Sequence, residues 1–397
     1  MKKKSKVFRL ISWMLVFALG IFSVPLFETP VVEAAGSVLT SSDGLWKYEL
    51  KEESGETVAV VDEYNGTDRD LVIPEEIDGY VVKYIGKPSG WSTVRYNRFD
   101  SITIPDSVAG LSNVPFFTHS HNLNFVSLGK NFATYNYIRD INMIMADEIY
   151  DIQTKEYRVS SENTVITAVD GVLYSKDMTE LKIYPVLKED VEFTVPSGVT
   201  SIDDYAMNNL QYLESLILPE GLQEIGMYCC MGASIRSVSL PNSLTSLNGG
   251  IFYESKLESI VFPETITEIG GYVFTGTPLE SVVIPDTVVS LGAGDFMDCG
   301  KLKSIVIGSG VASIGGNCFY GLTALETFEI SEANPNFKSE GGMLLTKDGL
   351  TLIQYAAAGN TQFILPNGVT AIADKACYGM PFTEIIVPDT VVSIGNI

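Results

Sequence analysis

PETITEIGGYVFTGTPLESVVI, residues 263–284, decides the fold. Its recurring apolar residues are Ile266, Ile269, Phe274, Leu279, Val282 and Ile284, and the preceding 22 residues place Leu244, Leu247, Phe252, Leu257, Ile260 and Phe262 at the same six positions. The prolines count the period. Pro196, Pro219, Pro241, Pro263 and Pro285 are 23, 22, 22 and 22 residues apart, Gly308 stands 23 further on, and Pro366 and Pro388 resume at 22. One such coil cannot bury six apolar side chains, whereas stacked coils bury them in a continuous core. The spacing therefore predicts a mainly β solenoid of 22–23-residue coils. Within a coil, Leu279-Glu-Ser-Val282-Val-Ile284 ends on the in–out alternation of a strand. The proline that follows cannot donate to a ladder and closes the strand. Ile225-Gly226, Ile269-Gly270 and Ile314-Gly315 mark a corner where a side chain would obstruct.

Upstream the same strand recurs less regularly, as Phe99-Asp-Ser-Ile102-Thr-Ile104 and Leu123-Asn-Phe125-Val126-Ser-Leu128. Residues 36–73, with Trp46, Tyr48, Val58, Val60, Val61, Leu71 and Ile73, alternate as strands do and are expected to cap the array's first edge. A longer repeat aligns Val159–Tyr184 on Ile330–Tyr355 without gaps at an offset of 171. Ser160/Ser331, Asn163/Asn334, Gly171/Gly342, Leu173/Leu344, Lys176/Lys347, Asp177/Asp348, Leu181/Leu352 and Tyr184/Tyr355 are identical pairs. Each copy reads strand–turn–strand, a hairpin inserted between coils.

Lys2, Lys3, Lys4, Lys6 and Arg9 precede an apolar run, Leu10–Val24, and Val32-Glu33-Ala34 supplies small residues for cleavage after Ala34, the pattern of a signal peptide. Past it, no stretch approaches the ~20 apolar residues of a membrane helix. Without residues 1–34 the chain keeps 21 basic against 47 acidic residues, a net charge of −26. Such a surface repels nucleic acid and anionic membranes, while 46% apolar residues exclude disorder. Five cysteines, Cys229, Cys230, Cys299, Cys318 and Cys377, cannot all pair. Cys230, Cys318 and Cys377 fall at or beside the block position that is Phe elsewhere, so they are expected as buried thiols. The last block stops ten residues in, and the chain is expected to continue past Ile397.

The block IP-(D/E)-x-(V/I)-x-x-IG-x-x-x-F-x-G-x-x-L-x-S-I-x-I, clearest in Pro263–Ile284, Gly308–Ile330 and Pro366–Val387, resembles the BspA-like leucine-rich repeats of bacterial surface proteins. Asp170–Asp177, DGVLYSKD, looks like that family's inserted element, and Asn65–Gly86 looks like its first repeat. Residues 87–158 fit poorly, and no cell-wall anchoring motif is present. The resemblance implies a right-handed leucine-rich-repeat solenoid, a secreted or surface-attached location, and adhesion to host matrix proteins or other cells. The organisation expected from residues and resemblance together is a signal peptide (1–34), a β cap (35–73) and divergent repeats (74–158). A hairpin module (159–195), regular repeats (196–330), a second module (331–365) and further repeats (366–397) follow.

No sequence pattern points to catalysis. GxSxG, HExxH and GxxxxGK[ST] are missing. His119 and His121 are the only histidines, with no neighbouring Cys, Asp or Glu to complete a metal site, so an exposed loop is expected. Asp62, Asp68 and Asp70 flank Asn65-Gly66 but miss the spacing of a calcium loop, and a solvated turn is expected. No catalytic residue, cofactor or metal is expected.

The strand segments expose three columns: Glu214, Arg236, Glu258, Glu280, Lys303, Glu326; then Ser215, Ser237, Ser259, Ser281, Ser304, Thr327; then Ile217, Ser239, Val261, Val283, Val306, Glu329. Stacked hydroxyls and β-branched residues stabilise neighbouring strands by ~0.2–1 kcal/mol each, which alone explains their recurrence. The same columns form an apolar stripe bordered by hydroxyls and carboxylates, suited to a protein partner. Ile217, Val261, Val283, Val306, Ser259, Ser281, Ser304, Glu258 and Glu280 are the expected contact residues. Tyr174, Tyr184 and Tyr355 in the modules are a second set of anchors, or packing. The expected partner is a host matrix or cell-surface protein, with a glycan second; nucleic acid is not expected. The expected function is a secreted or cell-surface adhesion and protein-binding scaffold. The alternatives are a spacer presenting a further C-terminal domain, or an extracellular enzyme acting on glycans or peptides.

Overall fold

The computed structural model describes residues 37–86, 99–111, 122–133, 153–356, 358, 362–378 and 382–396. The expected signal peptide, His119, His121 and most of the poorly fitting stretch from 87 to 158 lie outside the described residues. Every regular element among the described residues is a β-strand, and the coils stack as a solenoid.

Three sets of backbone bonds join the coils. A first parallel ladder runs through Glu192–Thr194, Ser215–Ile217 and Ser237–Ser239, then again through Ser281–Ile284, Ser304–Ile307 and Thr327–Ile330. A second uses two-residue strands at the Ile-Gly corner: Ser246–Leu247, Glu268–Ile269, Ser290–Leu291 and Ser313–Ile314. Between them the turns stack. The N–H groups of Cys230, Phe252, Phe274 and Phe296 donate to the carbonyls of Ile251, Val273, Asp295 and Cys318, at 2.8–3.0 Å.

The apolar positions fill the interior. Ile266, Ile269, Phe274, Leu279, Val282 and Ile284 are all buried. Phe252, Phe274, Phe296 and Phe319 contribute one ring per coil, stacked at centroid distances of 6.0, 5.4 and 6.1 Å. Aromatic pairs of this kind add ~0.5–1.5 kcal/mol each beyond their buried area.

Upstream, Asp70–Val72, Ser101–Thr103, Phe125–Leu128 and Tyr157–Val159 form a parallel ladder of the same kind. Trp46–Glu53 and Glu56–Tyr64 pair antiparallel, and Tyr80–Ile85 lies parallel to the second of them. Trp46, Tyr48, Val58, Val60, Val61, Leu71 and Ile73 are buried there.

The two copies of the long repeat share topology and bonds. Ile166–Val169, Val172–Ser175 and Glu180–Ile183 are antiparallel, and Glu180 and Leu181 then pair parallel with Ser201 and Ile202. Phe337–Glu340, Met343–Thr346 and Thr351–Tyr355 repeat this, with Thr351 and Leu352 on Ala371 and Ile372. A buried asparagine begins each copy. Asn163 donates to the carbonyls of Gly129 (3.0 Å) and Phe132 (2.9 Å) and accepts from the N–H groups of Val165 and Ile166 (both 2.9 Å). Asn334 donates to Gly308 (2.9 Å) and Val311 (3.1 Å) and accepts from Asn336 (2.8 Å) and Phe337 (2.9 Å).

The turns also match. Ser175 and Thr346 donate to the carboxylates two residues on, Asp177 and Asp348, and accept from Glu180 N–H (2.9 Å) and Thr351 N–H (3.0 Å). The Ser175 and Thr179 hydroxyls and the Thr179 N–H hold the Asp177 carboxyl down at about 2. Ser41, Asp43, Leu45 and Trp46 make the same turn, a third instance near the first described residue. Its signature, Ser/Thr-x-Asp, is short enough to pass unnoticed.

The second ladder breaks between Glu224–Ile225 and Ser246–Leu247, which lie in different sheets. Asn248 follows the break. In three other coils this place is glycine: the N–H groups of Gly226, Gly270 and Gly315 donate to the coil before, at 2.8–2.9 Å, as do those of Asp203 (3.0 Å) and Ala373 (2.8 Å). A Cβ on Gly226 would lie 2.2 Å from Asp204 N, and one on Gly315 2.4 Å from Ala293 N. Asn248 carries that Cβ, and its side-chain amide instead reaches Ile225 O at 2.8 Å. Asn248→Ala removes the side-chain donor, so it should lower stability by about 1 kcal/mol. Asn248→Gly should cost less, because its own N–H can take over. Denaturant unfolding of both variants checks the order.

Candidate binding surface

Strand geometry turns one set of side chains inward and the alternate set outward. Ser215 lies directly beside Ser237 and Ile217 beside Ser239. Further along, Ser281, Ser304 and Thr327 align, as do Val283, Val306 and Glu329. Val261 is 80% exposed, Val283 61% and Ile217 38%. Val306 and Ser304 are half-buried, while Ser259, Ser281, Glu258 and Glu280 are exposed.

The columns expected to run unbroken are interrupted in the structure. Residues 257–262 keep the alternation, with Leu257, Ile260 and Phe262 buried, yet they form no strand. Glu258 N–H still donates to Arg236 O at 3.1 Å. Phe262 stands where neighbouring coils have Leu240 and Ile284. Val238, Leu240, Ile260 and Phe262 are 8–9% exposed, against 1–2% for Val282 and Ile284. The bulkier ring accompanies a looser seam. The surface is thus two ordered patches, Ser215–Ser239 and Ser281–Glu329, with Val261 projecting from the seam between them.

The charges of the first column are largely paired. Arg236 bridges Glu214 (3.7 Å) and Glu258, and Lys303 pairs with Glu280 at 3.3 Å. Such exposed pairs contribute ~0–1 kcal/mol to stability but reduce the local negative field. Exposed Glu326 and Glu329, at the far end, take part in no ion pair among the described residues.

The tyrosines of the modules are packing, not anchors. Tyr174 and Tyr184 are buried, and Tyr184 donates to Asp190 at 2.8 Å with its ring edge-on to Phe193 at 4.7 Å. Burial, followed by Asp190, pushes its phenol up. Tyr355, also buried, packs on Phe363 and Phe382.

The other residues singled out in the sequence are held apart. Asp68 accepts from Tyr64, Asp70 from Ser101, and Asp62 is buried. Among the described residues no group of three His, Cys, Asp or Glu side chains is placed to hold a metal ion. All five cysteines are free, and Cys377 is only partly buried. Burial raises the Cys299 thiol to about 11, far from a reactive thiolate. No helix among the described residues is long and apolar enough to cross a membrane.

A family model described as the BspA type leucine rich repeat region matches residues 189–299, 268–340 and 354–397 in six copies. No curated protein matches the chain. Among solved structures, a leucine-rich repeat protein from Bacteroides ovatus is 19% identical, with 88% of this chain and 89% of that one covered and a TM-score of 0.50. A leucine-rich repeat protein from Eubacterium ventriosum is 18% identical, over 89% of this chain and 97% of that one, with a TM-score of 0.45. A leucine rich cell surface protein from Faecalibacterium prausnitzii is 19% identical, over 76% and 96%, with a TM-score of 0.36. The first of these carries the fold, and the repeat region carries the kinship: the chain belongs to the BspA-type leucine-rich-repeat family.

Proposed function

We propose that the protein is a secreted or cell-surface scaffold that binds a host matrix or neighbouring-cell protein through the exposed strand face. The observation that carries this reading is the pair of exposed valines, Val283 on the second ordered patch and Val261 on the seam beside it, bordered by hydroxyls and carboxylates. Contiguous exposed apolar side chains mark interaction surfaces. Family membership supports a scaffold of stacked repeats, the architecture that offers extended binding faces. The proposal includes removal of residues 1–34 as a signal peptide, a β cap over residues 35–73, and hairpin modules at 159–195 and 331–365 inserted between coils. Net charge favours a partner with basic character. Binding of residues 36–397 to immobilised matrix proteins, mucins and glycans at physiological salt tests the reading. Saturable binding to a protein is the expected result. Saturable binding to glycans alone would replace the protein partner, and no binding by the folded chain would favour a spacer.

A further inference from the structure

The coils are not equivalent, and their differences alternate. Pro219–Leu240 and Pro263–Ile284 share Glu220/Glu264, Glu224/Glu268, Ile225/Ile269, Gly226/Gly270, Tyr228/Tyr272 and Gly232/Gly276 at an offset of 44. The coils that follow each of them share Ser246/Ser290, Leu247/Leu291, Gly250/Gly294 and Phe252/Phe296 at the same offset. Two columns of the turn region have left-handed backbone in every one of these coils. In the first column φ is 54° at Tyr228, 68° at Gly250, 63° at Tyr272 and 67° at Gly294. In the second it is 52° at Asn209, 66° at Gly232, 53° at Glu254, 71° at Gly276, 59° at Asp298 and 78° at Gly321. A side chain in this region costs about 1–2 kcal/mol that glycine avoids, so backbone geometry alone would favour glycine throughout. Half the positions nevertheless carry large residues.

Contacts between coils account for the pattern. A Cβ on Gly250 would lie 2.3 Å from two ring carbons of Tyr228, and one on Gly294 2.6 Å from the ring of Tyr272. In the second column a Cβ on Gly232 would meet Asn209 Oδ1 at 2.4 Å, one on Gly276 would meet Glu254 Cγ at 3.0 Å, and one on Gly321 would meet Asp298 Oδ1 at 2.3 Å. Each large residue lies over the glycine of the next coil. From Tyr228 to Asp298 the phases of the columns are opposite, so a coil with tyrosine in the first has glycine in the second. Tyr205 and Tyr228 open the first column differently, ring stacked on ring at 5.4 Å.

We infer that the array is assembled from a two-coil unit of 44 residues whose interlocking side chains and glycines dictate which coil can follow which. The six apolar positions are nearly the same in every coil and would accept slipped stackings. The interlock supplies the discrimination that a uniform core lacks.

A double-variant cycle tests it. Gly250→Ala should lower Tm well beyond the effect of Gly44→Ala, where φ is 75° and nothing lies within 4 Å of an added Cβ. In a Tyr228→Gly background the effect of Gly250→Ala should shrink to that of Gly44→Ala. An undiminished effect, or failure of both Gly250 variants to fold, would overturn the interlock. Deletion of residues 241–284 should also melt higher than deletion of 263–284 alone. The longer deletion preserves the order of coil types, whereas the shorter one sets Asp298 upon Glu254. The opposite order of melting temperatures would overturn the two-coil unit.

Discussion

Asn334→Ala is expected to lower the stability of the array by about 3–5 kcal/mol. Asn334 is fully buried, and all four hydrogen-bonding capacities of its amide are used, two toward Gly308 and Val311 and two toward Asn336 and Phe337. Alanine leaves two carbonyls and two N–H groups without partners away from water, each a penalty of ~1–3 kcal/mol before relaxation. Asn163→Ala should behave alike, since its four bonds are the same in kind. Asn336→Ala is the control. Its side chain makes a single long bond to Val311 O at 3.4 Å, so its loss should stay below about 1 kcal/mol. Denaturant unfolding followed by hydrogen exchange locates the damage: amides of 308–311 and 336–346 should lose protection first. Equal effects of Asn334→Ala and Asn336→Ala would show that the buried bonds do not join coil to module.

Asp295 gives the second large effect, and it depends on pH. The residue is completely buried in a column that is Cys229, Ile251, Val273 and Cys318 in other coils. Only the N–H groups of Gly292 (2.6 Å) and Val273 (3.3 Å) face its carboxyl oxygens. Burial raises its pKa from 3.8 to about 8, against the smaller opposing effect of those two donors. The unfolded chain gives up the proton near pH 4, while the folded chain keeps it until about pH 8. Its contribution is therefore intact below pH 4 and is lost as pH rises toward 8, a decline of roughly 5 kcal/mol over the window. Asp295→Val, which copies Val273 of the coil before, should stabilise the protein at pH 8 and much less at pH 4.5. The N–H groups it strands add a penalty that does not vary with pH, so the difference between the two conditions isolates the acid. A variant-minus-wild-type stability that is equal at both pH values would contradict the buried neutral carboxyl.

How much of this was legible in the sequence follows from what each feature depends on. The solenoid rests on six apolar positions per coil, and Ile266 through Ile284 occupy the interior as the spacing predicts. Asn163 and Asn334 were visible as an identical pair, but identity does not disclose that both are buried and bonded on four sides. Broken ladders were not legible at all. At one of them the side-chain amide of Asn248 bonds the coil before, in a block whose apolar pattern is ordinary. Gly250 and Tyr228 were equally silent, because blocks aligned on their apolar residues treat the positions between as free. Strand alternation fixes the face on which the outward columns lie. Their interruption at Val261 depends on Phe262, which looks like any other core residue.

The proposed function turns on whether the strand face is where the partner sits. Val261→Asp/Val283→Asp/Val306→Asp places three carboxylates on that face without touching the buried positions. Its affinity for whichever protein the wild-type chain binds should be measured beside that of Val289→Asp, which alters an exposed valine next to the second ladder. A loss of at least about tenfold in the first variant, with the second unchanged, is the predicted result. Full affinity in the folded triple variant, or an equal loss in Val289→Asp, would contradict it.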